Sequence, residues 1–163
     1  MGVAYDAVSP ECYQRREETM KKTMELTPQQ RYDIVSYRIE CAENTLGEID
    51  NLLALKYYNN AANRMYYACY YAVSALLIAN GITTKSHDGV KQMFGLHFIR
   101  TGVFPSSYGR DYSNLFESRQ TGDYEDLFNH DEVSTANLYP KTKTIVAAVK
   151  EKVDQWLSEN AKA

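Results

Sequence analysis

One stretch of the sequence, AANRMYYACYYAVSALLIAN, constrains the fold more than any other. It contains no charged side chain from Met65 to Asn80, and its apolar residues occur on every side of a helix. Asn80-Gly81 is a typical helix end. A helix without a polar face has to be covered all round. The stretch therefore predicts a helix at the centre of a bundle, or one with one face in the fold and another in a subunit interface.

The small and aromatic residues of this helix are distributed differently. Four alanines, at positions 68, 72, 75 and 79, recur at steps of four and three and share one face, which allows close contact with another helix. Four tyrosines are expected on the flanks of the helix, where their hydroxyl groups can find hydrogen-bond partners: Tyr66, Tyr67, Tyr70 and Tyr71.

The rest of the chain also has helical periodicity, and no segment alternates convincingly as a strand. We expect an all-α, antiparallel helical bundle of about five helices over residues 27–160, preceded by an N-terminal appendage, 1–26, with a short helix. Pro140 is expected to begin the last helix or to kink an earlier turn. The other helices are a first one after the capping pattern Thr27-Pro28-x-Gln30, a third one after a Ser86 cap, a fourth over about 108–121, and a last one that includes 145–157.

Composition limits the class of protein. At 163 residues and 18.7 kDa, the chain can bury a sizeable core without disulfides. Its three cysteines are far apart, and its three histidines lack zinc-ligand spacing, so we expect reduced thiols, no metal and no cofactor. No stretch has the roughly 20 apolar residues of a membrane span, and the N-terminus does not resemble a signal peptide. We therefore expect a cytoplasmic protein without a membrane partner.

The charged residues are segregated along the chain. Residues 56–110 contain six Lys or Arg and one acid, whereas residues 111–133 contain seven acids and one base, Arg119. This asymmetry is typical of an anion-binding surface beside an acidic one, but two solvated helix faces that neutralise each other also account for it. On charge alone, the second interpretation is the stronger.

Three polar side chains occupy unusual positions. Arg64 precedes the apolar centre of the second helix, His87 follows the Ser86 cap, and Arg119 is near the inward face of the fourth helix. An arginine there can bind an anion, and a histidine at a helix N-terminus tends to stay neutral. Structural roles also fit each residue singly, because the arginines can pair with acids and His87 can serve as a hydrogen-bonded capping residue.

Three blocks together resemble a known family. The run YYNNAANRMYYACYYAVSALLIANGITTKSHDGV, the following F-x-x-x-F-I-R-T-G, and the R-x-x-x-D-Y of Arg119 to Tyr124 are similar to the HEPN domain (higher eukaryotes and prokaryotes nucleotide-binding) over about residues 30–160. The resemblance implies a bundle of four or five helices that forms a two-fold homodimer and is often encoded beside a small nucleotidyltransferase. Many members are metal-independent ribonucleases with an Arg followed, after four to six residues, by a His.

The chain departs from that motif. Arg119 matches the family arginine, but Asp123 and Tyr124 follow it, and the nearest histidine downstream is His130. The resemblance implies that Arg119 binds a phosphate of the RNA. The missing acid-base role would then fall to Asp123, His130 or His87. In some members a tyrosine accepts a nucleotide from the partner enzyme, a role that Tyr124 would take here. Arg64, His87, Arg119 and Tyr124 are the candidate binding residues.

Three functions remain open at this point. The first is a nucleotide- or RNA-binding module that works with a nucleotidyltransferase, as in a toxin-antitoxin pair. The second is a metal-independent endoribonuclease toxin that uses Arg119 with a non-standard acid-base residue. The third is a purely structural dimer, in which the arginines would be paired with acids and no cleft would remain. We rank them in that order.

Overall fold

The computed structural model describes residues 25–122 and 129–161, without the side chains of residues 120–122. In this part of the chain all regular structure is helical, which confirms the all-α prediction. Residues 1–24 of the expected appendage, and both Asp123 and Tyr124, lie outside the described residues. The helices are α1 (Pro28–Ala54), α2 (Tyr58–Ala79), α3 (His87–Phe94), a π-helical turn (Gly95–Ile99), α4 (Ser106–Gly122) and α5 (Glu132–Asn160).

Helix α1 begins at the predicted capping box. Thr27 Oγ1 accepts a hydrogen bond from the backbone N–H of Gln30, and Gln30 Oε1 accepts one from the backbone N–H of Thr27. A turn of three residues, 55–57, then reverses the chain into α2, with Lys56 in the left-handed region at φ 61°. A connection this short makes α1 and α2 an antiparallel pair.

Helix α2 is the centre of the bundle, as its sequence predicts. It contacts α1, α3, α4 and α5, and thirteen of its 22 residues are buried. The four alanines at 68, 72, 75 and 79 are all buried, which fits their role in close helix contacts. The prediction that its tyrosines lie on the flanks is wrong for Tyr66, which is fully buried, whereas Tyr67, Tyr70 and Tyr71 are half-buried.

An aromatic group joins α3, the π-helical turn and α4. The ring of Phe94 lies 5.9 Å from that of Phe104 and 5.6 Å from that of Tyr112, measured between centroids. The π-helical turn, which the sequence does not predict, leads to Gly102 at φ 77°, a conformation that favours glycine. The Tyr112 ring also lies 6.1 Å from that of Tyr66 on α2, so the same aromatic group packs α4 against α2 and positions the C-terminal turn of α4.

Helix α5 begins earlier than expected. Its N-cap is Asp131, whose side chain accepts a hydrogen bond from the backbone N–H of Ser134. The prediction that Pro140 begins the last helix is therefore wrong, because α5 runs through it. Pro140 has no N–H to offer the carbonyl of Ala136, and both residues are exposed, so water can satisfy that carbonyl. No helix in the described part of the chain is both long enough and apolar enough to cross a membrane.

Candidate functional site

His87 is held by three tyrosines of α2. The hydroxyl oxygen of Tyr66 lies 2.8 Å from Nδ1 of His87, a hydrogen bond. The Tyr70 ring stacks on the imidazole with 4.3 Å between centroids, and the Tyr67 ring meets it edge-on at 5.9 Å. His87 is the first residue of α3, and the Ser86 cap fixes that end by accepting a hydrogen bond from the N–H of Gly89. The imidazole is thus fixed through its Nδ1 atom, and its Nε2 atom has no hydrogen-bond partner among the described residues.

Arg119 lies over the same tyrosines from the C-terminal turn of α4. Its guanidinium carbon is 5.3 Å from the ring centroid of Tyr66 and 5.3 Å from that of Tyr67. These are cation–π distances, and no carboxylate among the described residues forms an ion pair with Arg119. A guanidinium held by ring faces keeps its N–H donors available for an anion.

Two further arginines border the tyrosines. The guanidinium carbon of Arg38, on α1, lies 6.0 Å from the Tyr70 ring centroid and 5.8 Å from that of Tyr71. That of Arg64 lies 5.6 Å from the Tyr67 ring centroid. We call His87 with these tyrosines and arginines the arginine–tyrosine cluster; its members are Arg38, Arg64, Arg119, His87, Tyr66, Tyr67, Tyr70 and Tyr71.

Glu48 of α1 approaches this cluster. Oε2 of Glu48 is 3.9 Å from Nε of Arg64, and both side chains are substantially exposed. Such a pair contributes little free energy and is easily exchanged for another anion. The pairing expected of a purely structural arginine therefore holds only weakly for Arg64, and it is absent for Arg119 within the described residues.

The cluster keeps His87 neutral. Burial lowers the pKa of His87 below its ordinary value of 6.5, and the charges of Arg119 and Arg38 lower it further. Between that lowered pKa and 6.5 the unfolded chain binds more protons than the folded one, so the contribution of His87 to stability is lost as the pH falls through this window. Burial also raises the pKa of Tyr66 to about 12, so its hydroxyl group stays protonated near neutral pH.

His130, the other histidine singled out in the sequence, lies outside this cluster. Its backbone N–H donates to Oδ1 of Asn59 at 2.7 Å, and its Nδ1 is 3.4 Å from Oγ of Ser134. Burial lowers the pKa of His130, against the opposing effect of Asp131. These contacts belong to the start of α2 and of α5. The structure thus brings Arg119 together with His87 and not, in its described part, with His130.

Arg38 and the role of the tyrosines were not predicted from the sequence. Their spacing offered a signal, since Tyr66 and Tyr70, or Tyr67 and Tyr71, are four apart and share a face of α2. No group of three His, Cys, Asp or Glu side chains among the described residues is arranged to hold a metal ion. The functional groups of the arginine–tyrosine cluster are guanidinium groups, phenols and one neutral imidazole.

Comparison with known proteins identifies the fold. The family model of the HEPN domain matches residues 35–152, a span that runs from α1 into α5 and contains every member of the cluster. The chain belongs to the HEPN domain family. This confirms the resemblance carried by the three sequence blocks.

Relatives of this HEPN protein occur in bacteria and archaea. A UPF0332 protein from Thermotoga maritima is 33% identical over 121 residues, which cover 74% of this chain and 92% of the relative. Two proteins from Methanocaldococcus jannaschii, each named as a putative toxin, are both 37% identical, over 86 and 87 residues. These matches cover 53% of this chain in each case, and 64% and 59% of the relatives.

Proposed function

We propose that this HEPN protein is toxin-like and binds single-stranded RNA at the arginine–tyrosine cluster. One observation carries the proposal: Arg119 and His87 meet over the same two rings, those of Tyr66 and Tyr67. The toxin names of the two archaeal relatives support the functional class.

The cluster suits the two parts of a nucleotide. Guanidinium groups bind phosphate oxygens through paired N–H donors, and the half-buried rings of Tyr67 and Tyr71 are faces on which bases can stack. Bases are available for stacking in single strands, whereas an RNA duplex hides them in its grooves. We therefore expect single-stranded RNA to bind more tightly than a duplex of the same length.

Replacing Arg119 by alanine tests the proposal. RNA affinity should fall roughly 10- to 100-fold, the value of a hydrogen bond to a charged group, with little change in melting temperature. Fluorescence anisotropy with a labelled single-stranded oligoribonucleotide measures the affinity. Arg110→Ala is the matched control, because Arg110 is exposed on the same helix and lies outside the cluster. Unchanged binding with a lower melting temperature would make Arg119 a structural residue.

RNA cleavage is the second candidate function, and the bond between Tyr66 and His87 favours it. If the imidazole carries its hydrogen on Nδ1 and donates it to Tyr66, Nε2 is a free base. Nε2 would take the proton of a ribose 2′-hydroxyl, and the 2′-oxygen would attack the adjacent phosphorus. The bond from phosphorus to the 5′-oxygen then breaks, and that oxygen receives a proton from the imidazolium. The products are a 2′,3′-cyclic phosphate and a 5′-hydroxyl, with Arg119 stabilising the phosphate charge.

Two partners complete the proposal. The first is a second copy of this chain, as the resemblance implies, and light scattering should give twice 18.7 kDa at micromolar concentration. A species of 18.7 kDa alone would contradict the homodimer.

The second partner is a nucleotidyltransferase antitoxin acting in the cytoplasm, with Tyr124 as its acceptor. An adjacent gene for a small nucleotidyltransferase would support this pairing, and its absence would weigh against it.

A further inference from the structure

A groove of about 510 Å³ adjoins the arginine–tyrosine cluster. It lies between α1, α2 and the segment that follows α2, and Arg38 and Tyr70 line it as well as belonging to the cluster. Its volume is in the range of small-ligand sites. A strand bound at the cluster could therefore extend into the groove without leaving the protein surface.

Ser74 marks the groove as a binding site. Ser74 lines the groove and is only 5% exposed, and its hydroxyl group is buried without a hydrogen-bond partner among the described residues. Buried polar groups are nearly always paired in native proteins, because leaving one unpaired costs free energy. Rotation of the Ser74 side chain about its Cα–Cβ bond would turn the hydroxyl group toward the groove, where a bound molecule can supply the missing partner.

Two arginines and one carboxylate, that of Glu25, line the groove, which leaves it with a net positive charge. Arg31 and Arg38 both line it, and no carboxylate in the described part of the chain forms an ion pair with either. Gly81 allows this arrangement, since it sits at φ 73° and a Cβ there would lie 3.0 Å from a terminal nitrogen of Arg31. Two unpaired guanidinium groups on one groove favour a ligand with a phosphate.

The other side of the groove is apolar. Ile78 and Ile82 line it beside Ser74. Besides its two guanidinium groups and the Glu25 carboxylate, the groove has hydroxyl-bearing residues at Ser74, Thr83 and Thr84 and an apolar wall. Together these match the phosphate, the polar edges and the flat face of a nucleotide.

We propose that this groove binds one nucleoside monophosphate unit, with its phosphate at Arg31 and Arg38 and a polar atom of its ribose or base on the Ser74 hydroxyl. This inference rests on the proposed function, because it makes the unit the neighbour of the nucleotide bound at Arg119. A free nucleotide has the same chemistry, and the experiment distinguishes the two sources.

The test is calorimetric titration of the full chain with each of the four nucleoside 5′-monophosphates and with a single-stranded oligoribonucleotide. Ser74→Ala should weaken mononucleotide binding about 2- to 10-fold while leaving the melting temperature unchanged or higher, since it removes an unpaired group. Arg31→Ala should weaken it 10-fold or more, whereas Arg110→Ala should have no effect. If Ser74 only fills space in the core, Ser74→Ala should lower the melting temperature and leave the mononucleotide affinity unchanged, which would overturn its role in binding.

The outcomes separate this inference from the proposed function. Competition between the oligoribonucleotide and the mononucleotide supports an RNA subsite, and simultaneous binding of both overturns it in favour of a free nucleotide. Binding of RNA that depends on Arg119 but not on Ser74 or Arg31 overturns the groove alone. Mononucleotide binding that depends on Ser74, in a chain that binds no RNA, supports the groove and overturns the proposed function.

Discussion

Replacing Ala72 by aspartate should lower the free energy of unfolding by roughly 3 to 5 kcal/mol, because the new carboxylate would be buried without a partner. Ala72 is 0% exposed and lies at the middle of α2, between helices that cover it on all sides. The added side chain also has no space in the close helix contact that the alanines allow. Urea unfolding followed by circular dichroism measures the loss.

Ala147→Asp is the control for this experiment. Ala147 is exposed on α5, so the same substitution there should change stability by less than about 0.5 kcal/mol. An Ala72→Asp variant as stable as the unmodified chain would show that α2 is not the centre of the bundle.

Replacing His87 by asparagine should lower RNA cleavage by at least about 100-fold, the usual contribution of a proton-transfer group. The asparagine amide can still form a hydrogen bond with Tyr66, but it cannot take a proton from a hydroxyl group. In the unmodified chain the cleavage rate should rise with pH and reach its plateau already at a pH below 6.5. The reason is that burial and two nearby arginines lower the pKa of His87. A gel assay with a labelled oligoribonucleotide, in the presence of a metal chelator, measures the rate.

His97→Asn is the matched control, because His97 is exposed in the π-helical turn. It should cleave at the rate of the unmodified chain. If His87→Asn also cleaves at that rate, or if neither protein cleaves RNA that it binds, the cleavage hypothesis is wrong while the binding proposal stands.

The central helix could be predicted because its sequence leaves one solution. A run without charge from Met65 to Asn80 has to be largely covered, and thirteen of the 22 residues of α2 are buried, with the half-buried tyrosines on its open flank. The predicted caps of α1 and α3 are local as well, since Thr27 and Ser86 form hydrogen bonds within three residues of the helix start. The π-helical turn could not be predicted, because no local sequence signal marks it and it goes with the packing of the phenylalanines in the folded chain.

The site was predictable only in part. Arg64, His87 and Arg119 stood out singly as polar residues in unusual places, and each had a plausible structural role. Their meeting over Tyr66 and Tyr67 depends on how α3 and α4 pack on α2, which no spacing in the sequence records. Arg38 joins them from α1, more than 25 positions away in sequence, and so gave no signal of its own.

An NMR titration of the histidine side chains tests the central claim most directly, because the chain has only three histidines and one of them lies in the cluster. Saturation with a single-stranded oligoribonucleotide should shift the imidazole signals of His87, while those of His97 and His130 stay in place. The histidine variants assign the three signals. Bound RNA that leaves the His87 signals unmoved would contradict the claim that the arginine–tyrosine cluster is the binding site.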